Sequence, residues 1–205
     1  KALIGGAQMS AAGFSIMLAV NISANWLSDI RLPEFILASI QSTNFVAENL
    51  ILEITETGIM ADIATSLDVM TRLRLKGFKL SIDDFGTGYS SLTYLSRLPI
   101  DVLKIDKSFV QEVGITEHGA AIIGTIIELA HQINMAVVAE GVETMAQLDS
   151  MRELNCDCLQ GYLVSRPLSA QAVSVWRLSR RRVSSLSARA SSRPTQALRP
   201  RALAS

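Results

Sequence analysis

Between residues 16 and 160 the chain alternates two rhythms. Short runs rich in Val, Leu and Ile give way to longer stretches with the apolar spacing of a helix. The short runs are "MLAV" before Asn21, "LILEIT" carrying Glu53, "KLSI" before Asp83, "DVLKI" carrying Lys104, "MAVVA" before Glu140 and "CDCL" before Gln160. Nearly continuous apolar runs of this length are expected of parallel strands covered on both faces. The longer stretches predict amphipathic helices. "RLPEFILASIQST" turns Phe35, Ile36 and Ile40 inward, and "MADIATSLDVMTRLRLKG" puts Ile63, Leu67, Met70 and Leu73 on one stripe before a stop at Gly77. "EHGAAIIGTIIELAHQIN" and "TMAQLDSMRELN" are two more, the second with Thr144 as N-cap. Strands alternating with helices imply βα units with right-handed crossovers, an α/β fold on a parallel sheet.

Six strands suit either an open doubly wound sheet or most of an eight-stranded barrel. The polar strand ends favour the barrel. There, every carboxyl end converges on one face, whereas in an open sheet only a few meet at a switch point. At the N-terminus, residues 2–28 carry no charge, a length that would suit a membrane helix. Gly5, Gly6, Gln8, Ser10, Gly13, Ser15 and Asn21 interrupt it, so the preferred reading is a helix end over residues 1–12, a turn at Gly13 and a strand over "IMLAVNIS".

Composition adds two facts. The chain of 205 residues is 49% hydrophobic but only 5% aromatic, enough for one domain with a core of Leu, Ile, Val, Ala and Met. Its zero net charge hides an uneven spread. Residues 177–205 hold eight Arg and no acid, which leaves 11 basic against 19 acidic residues, a net of −8, in residues 1–176. An acidic body fits a cation site better than a nucleic-acid groove, so no DNA or RNA partner is expected. The Arg- and Ser-rich tail reads as disordered, and as either an RNA- or membrane-touching arm or a non-native extension. Cys156 and Cys158 stand one residue apart, which suits neither a disulfide framework nor a four-ligand zinc site and points to a reducing compartment.

The chemistry lies in the strand ends. Asn21, Glu53, Asp83, Asp84, Lys104, Glu140 and Gln160 would meet at one mouth. Oxygen donors without His or Cys suit hard divalent cations such as Mg²⁺ or Mn²⁺. Four carboxylates can hold two such ions, and the water between them becomes a nucleophile at neutral pH. Lys104 can pair with a carboxylate, orient that water or stabilise phosphate charge. The adjacent pair Asp83 and Asp84, followed by a Gly-Thr-Gly loop, persists where something positive sits beside it. Each feature alone has a plain structural explanation. Their joint occurrence at successive strand ends points to the cleavage of a phosphodiester.

The motifs "VNISA" (20–24), "LEITET" (52–57), "DDFGTGYSSL" (83–92), "LPIDVLKIDKSFV" (98–110), "VVAEGVET" (137–144) and "CLQGYLVSRPL" (158–168) resemble those of the EAL domain, the bacterial phosphodiesterase of cyclic di-GMP. The resemblance covers roughly residues 1–176. It implies a TIM-like (β/α)8 barrel that hydrolyses cyclic di-GMP to linear pGpG with two Mg²⁺ or Mn²⁺ ions. It implies Asn21, Glu53, Asp83, Asp84 and Glu140 as metal ligands, Lys104 as the residue positioning the water, Gln160 as its support, and Glu56 as the group steadying the loop from Asp84. It assigns to loop and substrate contacts Asp84, Phe85, Gly86, Thr87, Gly88, Tyr89 and Ser90, and also Gln160, Gly161, Tyr162, Arg166 and Pro167. A cytoplasmic homodimer is implied, joined in a longer protein to a sensory or GGDEF-type domain, with membrane tethering left open.

One departure accompanies it. The family's Glu-Ala-Leu tripeptide does not occur here. The chain begins where the family's first helix would be ending, so the first strand with the tripeptide's metal-ligating Glu, the first helix and the substrate-contacting Arg beyond the tripeptide are expected to be missing, and the resemblance leaves the activity of this chain alone open. The alternative reading is an impaired EAL domain that serves as a cyclic di-GMP receptor or a regulatory dimerisation module.

Overall fold

All six apolar runs become strands of one sheet: β1 Leu18–Ile22, β2 Leu50–Thr55, β3 Lys79–Phe85, β4 Val102–Ile105, β5 Ala136–Ala139 and β6 Cys158–Leu159. This computed structural model describes residues 2–86, 95–113, 115–116, 118–173 and 175–176. Thr87, Gly88, Tyr89 and Ser90 of the expected loop, and the segment 177–205, lie outside the described residues. Residues Lys1–Arg166 form one compact unit and Pro167–Ser205 a second. In the second, residues 170–173 are helical and the Ser169 hydroxyl accepts from the Ala172 amide.

The strand order is β1-β2-β3-β4-β5-β6, with every neighbouring pair parallel. Among the described residues no strand reverses the winding, and every carboxyl end lies along one rim. This is barrel winding, as the polar strand ends predict.

Eight helices flank the strands among the described residues of the first unit, the first before β1 and the others in the crossovers: α1 Ala2–Ala11, α2 Ala24–Leu27, α3 Leu32–Gln41, α4 Glu56–Met60, α5 Ile63–Leu75, α6 Lys107–Glu112, α7 Gly119–Gln132 and α8 Met145–Glu153. The predicted turn at Gly13 is real, with φ of 81°, and no described helix is long and apolar enough to cross a membrane. The short helices α2, α4 and α6 follow strands directly and have too few turns for a periodic signal. Helix α5 starts where the Asp62 carboxylate accepts from the Thr65 amide and stops at Gly77, whose φ of 90° no other residue type adopts freely. At α8, Thr144 and Gln147 form a reciprocal capping box.

Alternation along the strands divides their side chains. Leu50, Leu52, Ile54, Leu80, Ile82, Leu103, Ile105, Val137 and Ala139 are all buried to 2% exposure or less and share one core with Val69, Met70, Leu73, Ile123 and Ile127. Each of these side chains larger than alanine stabilises the fold by roughly 1.5–3 kcal/mol relative to an exposed one. The other parity carries the polar residues Glu53, Ser81, Asp83 and Lys104. One expectation fails here. Phe35 is 56% exposed and packs beside Trp26 at a ring separation of 5.1 Å. The inward stripe of α3 is Leu32, Pro33, Ile36 and Ile40, and a step of roughly 100° per residue carries Phe35 off it.

Candidate active site

Lys104 is the hub of the rim. It lies in β4, all four residues of which are buried, and only 6% of it is exposed. A buried ammonium without partners would be strongly unfavourable. Its Nζ has three: Glu53 Oε1 at 2.9 Å, Asp83 Oδ1 at 2.8 Å and Glu140 Oε1 at 2.7 Å. These come from β2, β3 and the residue after β5, so one amine ties together four consecutive strand ends. Burial alone would lower the pKa of Lys104. The hydrogen bonds to Asp83, Glu140 and Glu53 outweigh it and raise the value above the usual lysine range, so the amine stays charged.

The adjacent pair Asp83 and Asp84 is explained by a break in register. Ile82 pairs with Leu103 and Phe85 with Ile105, so β3 spends one more residue than β4 between these points. In a regular strand the two carboxylates would point to opposite faces. The bulge re-aims the second, and Asp84 takes a left-handed φ of 53°, a strained conformation for a residue other than glycine. As a result Asp83, Asp84 and Glu140 each offer an oxygen within 4.8 Å of the others. Burial is the first cause that raises the pKa of both Asp84 and Glu140. The charges of Asp83 and Asp106 add to it at Asp84, and Lys104 opposes it at Glu140.

Glu56 is 3% exposed and opens α4; its Oε2 accepts from the Gly86 amide at 3.4 Å. Gly86 has φ of 101°, and a side chain there would meet the Phe109 ring at 2.6 Å, so the loop after Phe85 can start only with glycine. Asn21 stands beside Glu53 in the β1–β2 register. Gln160 follows β6, with its amide on the Ala139 carbonyl at 2.9 Å and its own carbonyl accepting from Val142 at 3.0 Å. Gly161 touches the Val142 backbone, and the Arg166 guanidinium lies 5.1 Å from the centre of the exposed Tyr162 ring. Pro167 belongs to the second unit.

Sequence reasoning passed over Asp106 and Lys107, whose charges reach Asp84 with opposite effect. The signal was present: they follow β4 directly, on the same rim as Lys104. Asp106 also caps α6, accepting from the Ser108 amide at 2.9 Å.

The donor set fits a hard cation. Three carboxylates converge within the spread of one coordination shell, with Glu53 joined to them through Lys104. Four carboxylates against one ammonium leave a local charge of −3, which a divalent ion would offset.

The sequence model of the EAL domain matches residues 5–167. The cyclic di-GMP phosphodiesterase NbdA of Pseudomonas aeruginosa is 43% identical over 158 residues, 77% of this chain and 20% of that protein. The chain thus spans about a fifth of the length of the curated relatives it matches. The solved structure of the PaMucR phosphodiesterase in complex with c-di-GMP superposes with a TM-score of 0.80 at 39% identity, over 84% of this chain and 70% of that one. The EAL domain of Mycobacterium smegmatis DcpA gives 0.81 at 34% identity, over 85% and 79%.

Proposed function

This chain belongs to the EAL domain family, and from that premise we propose that it is a metal-dependent phosphodiesterase that opens cyclic di-GMP to linear pGpG. The observation that carries the reading is the meeting of Lys104 with Glu53, Asp83 and Glu140 at one barrel mouth. Asn21, Glu53, Asp83, Asp84 and Glu140 would hold two Mg²⁺ or Mn²⁺ ions. Such ions, when bound, supply an acidified water and neutralise phosphate charge.

The remaining tasks fall to the chain itself. Lys104, charged throughout, donates hydrogen bonds that hold the attacking water and the non-bridging phosphate oxygens in place. Water oxygen bonds to phosphorus, one ribose O3′ leaves with a proton, and the ring opens. Gln160 supports the water from the end of β6. Glu56 holds the Gly86 amide and so fixes where Asp84 points. Tyr162 and Arg166 offer an aromatic face and a guanidinium beside the mouth, a pair suited to a guanine base. The free thiols Cys156 and Cys158 support a reducing, cytoplasmic setting. Pairing with a second copy is part of the same reading.

The test is chromatographic. The chain is incubated with cyclic di-GMP and Mn²⁺, and pGpG is expected to appear, to vanish with a chelator, and to fall at least a hundredfold with Lys104→Ala. Tight binding of cyclic di-GMP without turnover would replace the enzyme by a receptor.

A further inference from the structure

The three bonds of Lys104 have a consequence for metal loading. One ammonium takes one oxygen from each of Glu53, Asp83 and Glu140, at 2.7–2.9 Å. Asp83 and Glu140 are also two of the three residues whose oxygens converge as a cation group with Asp84. An ion of the Mg²⁺ class demands its ligands at about 2.0–2.1 Å in near-octahedral order and repels an ammonium held on the same carboxylates. The amine and the metal therefore draw on two of the same carboxylates, Asp83 and Glu140. Lys104 also has a flexible four-carbon stem, able to withdraw its head without moving β4.

We propose that Lys104 is a built-in competitor of the metal: its ammonium offsets part of the charge of the carboxylate cluster and releases Asp83 and Glu140 when a divalent cation binds, so that this residue lowers the metal affinity. The proposal rests on the metal-dependent reading above and adds a second role to Lys104. The cluster is never without a counter-charge, which lessens the repulsion among its carboxylates. Metal binding becomes an exchange of cations, weaker than the carboxylates alone would give.

Calorimetric titration with Mn²⁺, without substrate, tests it on the wild-type chain and on Lys104→Gln, which keeps a polar side chain, shorter by one atom, and removes the charge. The variant is expected to bind Mn²⁺ at least tenfold more tightly. It should melt lower than wild type in chelator, and the deficit should shrink or reverse in saturating Mn²⁺. A merely structural lysine would give the same deficit in both and would not tighten the metal. Equal or looser Mn²⁺ binding by the variant overturns the proposal and leaves the metal site standing. A wild-type chain that binds no Mn²⁺ sinks the metal site and the proposal together. Should Lys104→Gln fail to fold, the wild-type chain decides. The ¹⁵N signal of the Lys104 ammonium is expected to shift on saturation with diamagnetic Mg²⁺, and an unmoved signal refutes the exchange.

Discussion

Replacing Gly161 by alanine should damage both the fold and the mouth of the barrel. A methyl group built on Gly161 falls 2.1 Å from the Val142 carbonyl oxygen, 2.4 Å from its nitrogen and 2.7 Å from its carbonyl carbon. These are backbone atoms and cannot rotate away. Val142 is fully buried, its amide donates to Gln160 at 3.0 Å, and its carbonyl accepts from Leu163 at 3.1 Å. Relief requires the segment after β6 to move roughly 1 Å away from Val142, which breaks both bonds. Overpacking against a rigid wall costs about 1–3 kcal/mol, and each lost bond adds about 1 kcal/mol. The sum, about 3–5 kcal/mol, lowers the melting temperature of a domain this size by on the order of 10 °C. Gln160 moves with its neighbour, and a shift of about 1 Å in a positioning group can reduce turnover on the order of a hundredfold. Circular-dichroism melting and the pGpG assay measure the two effects. A variant that melts within about 2 °C of wild type would refute the argument from close approach.

Gly124 is the contrasting case: inside α7 a new methyl meets, among the described residues, only Leu154 Cδ2, the movable end of a side chain, at 3.3 Å, so Gly124→Ala should raise stability by about 0.5–1 kcal/mol through helix propensity, read from the same melting curves. Asp29 should titrate at about 2, because the Arg31 side chain and then its amide hydrogen-bond the carboxylate. A lowered pKa means that the pairing stabilises the fold above about pH 4 and is lost as pH falls through about 2; NMR titration should show Arg31→Ala returning Asp29 toward 3.8, and no change would contradict the assignment. Burial pushes the Cys156 thiol up to about 11, so near pH 8 only about one in a thousand is thiolate, and its alkylation by iodoacetamide should be about a hundredfold slower than that of an ordinary cysteine; rapid labelling of Cys156 on peptide mapping would contradict this.

Much of the site could be read along the chain because a parallel β/α unit obeys local rules. The period of each apolar run specifies a strand, the residue that ends it lies at the carboxyl rim, and right-handed crossovers bring the rims together. Glu53, Asp83, Lys104 and Glu140 follow from that alone. Phe35 was misread because one helix's apolar residues span more than its buried stripe, and only the packing partner selects among them. Asp106 was passed over because it looks like an ordinary helix cap, and it is one.

What the sequence by itself determined was the set of six parallel strands, their winding into a barrel and the acidic character of one rim, since periodicity and residue type are properties of short segments. What only the tertiary structure decided was how those groups meet. The extra residue in β3 that turns Asp84 to the same side as Asp83 depends on how β3 pairs with β4, two strands joined by a long connection. The three bonds of Lys104 depend on strand ends that are far apart in the chain and within 3 Å in space. Charges repel or pair according to distance in space, and local pattern carries no record of it.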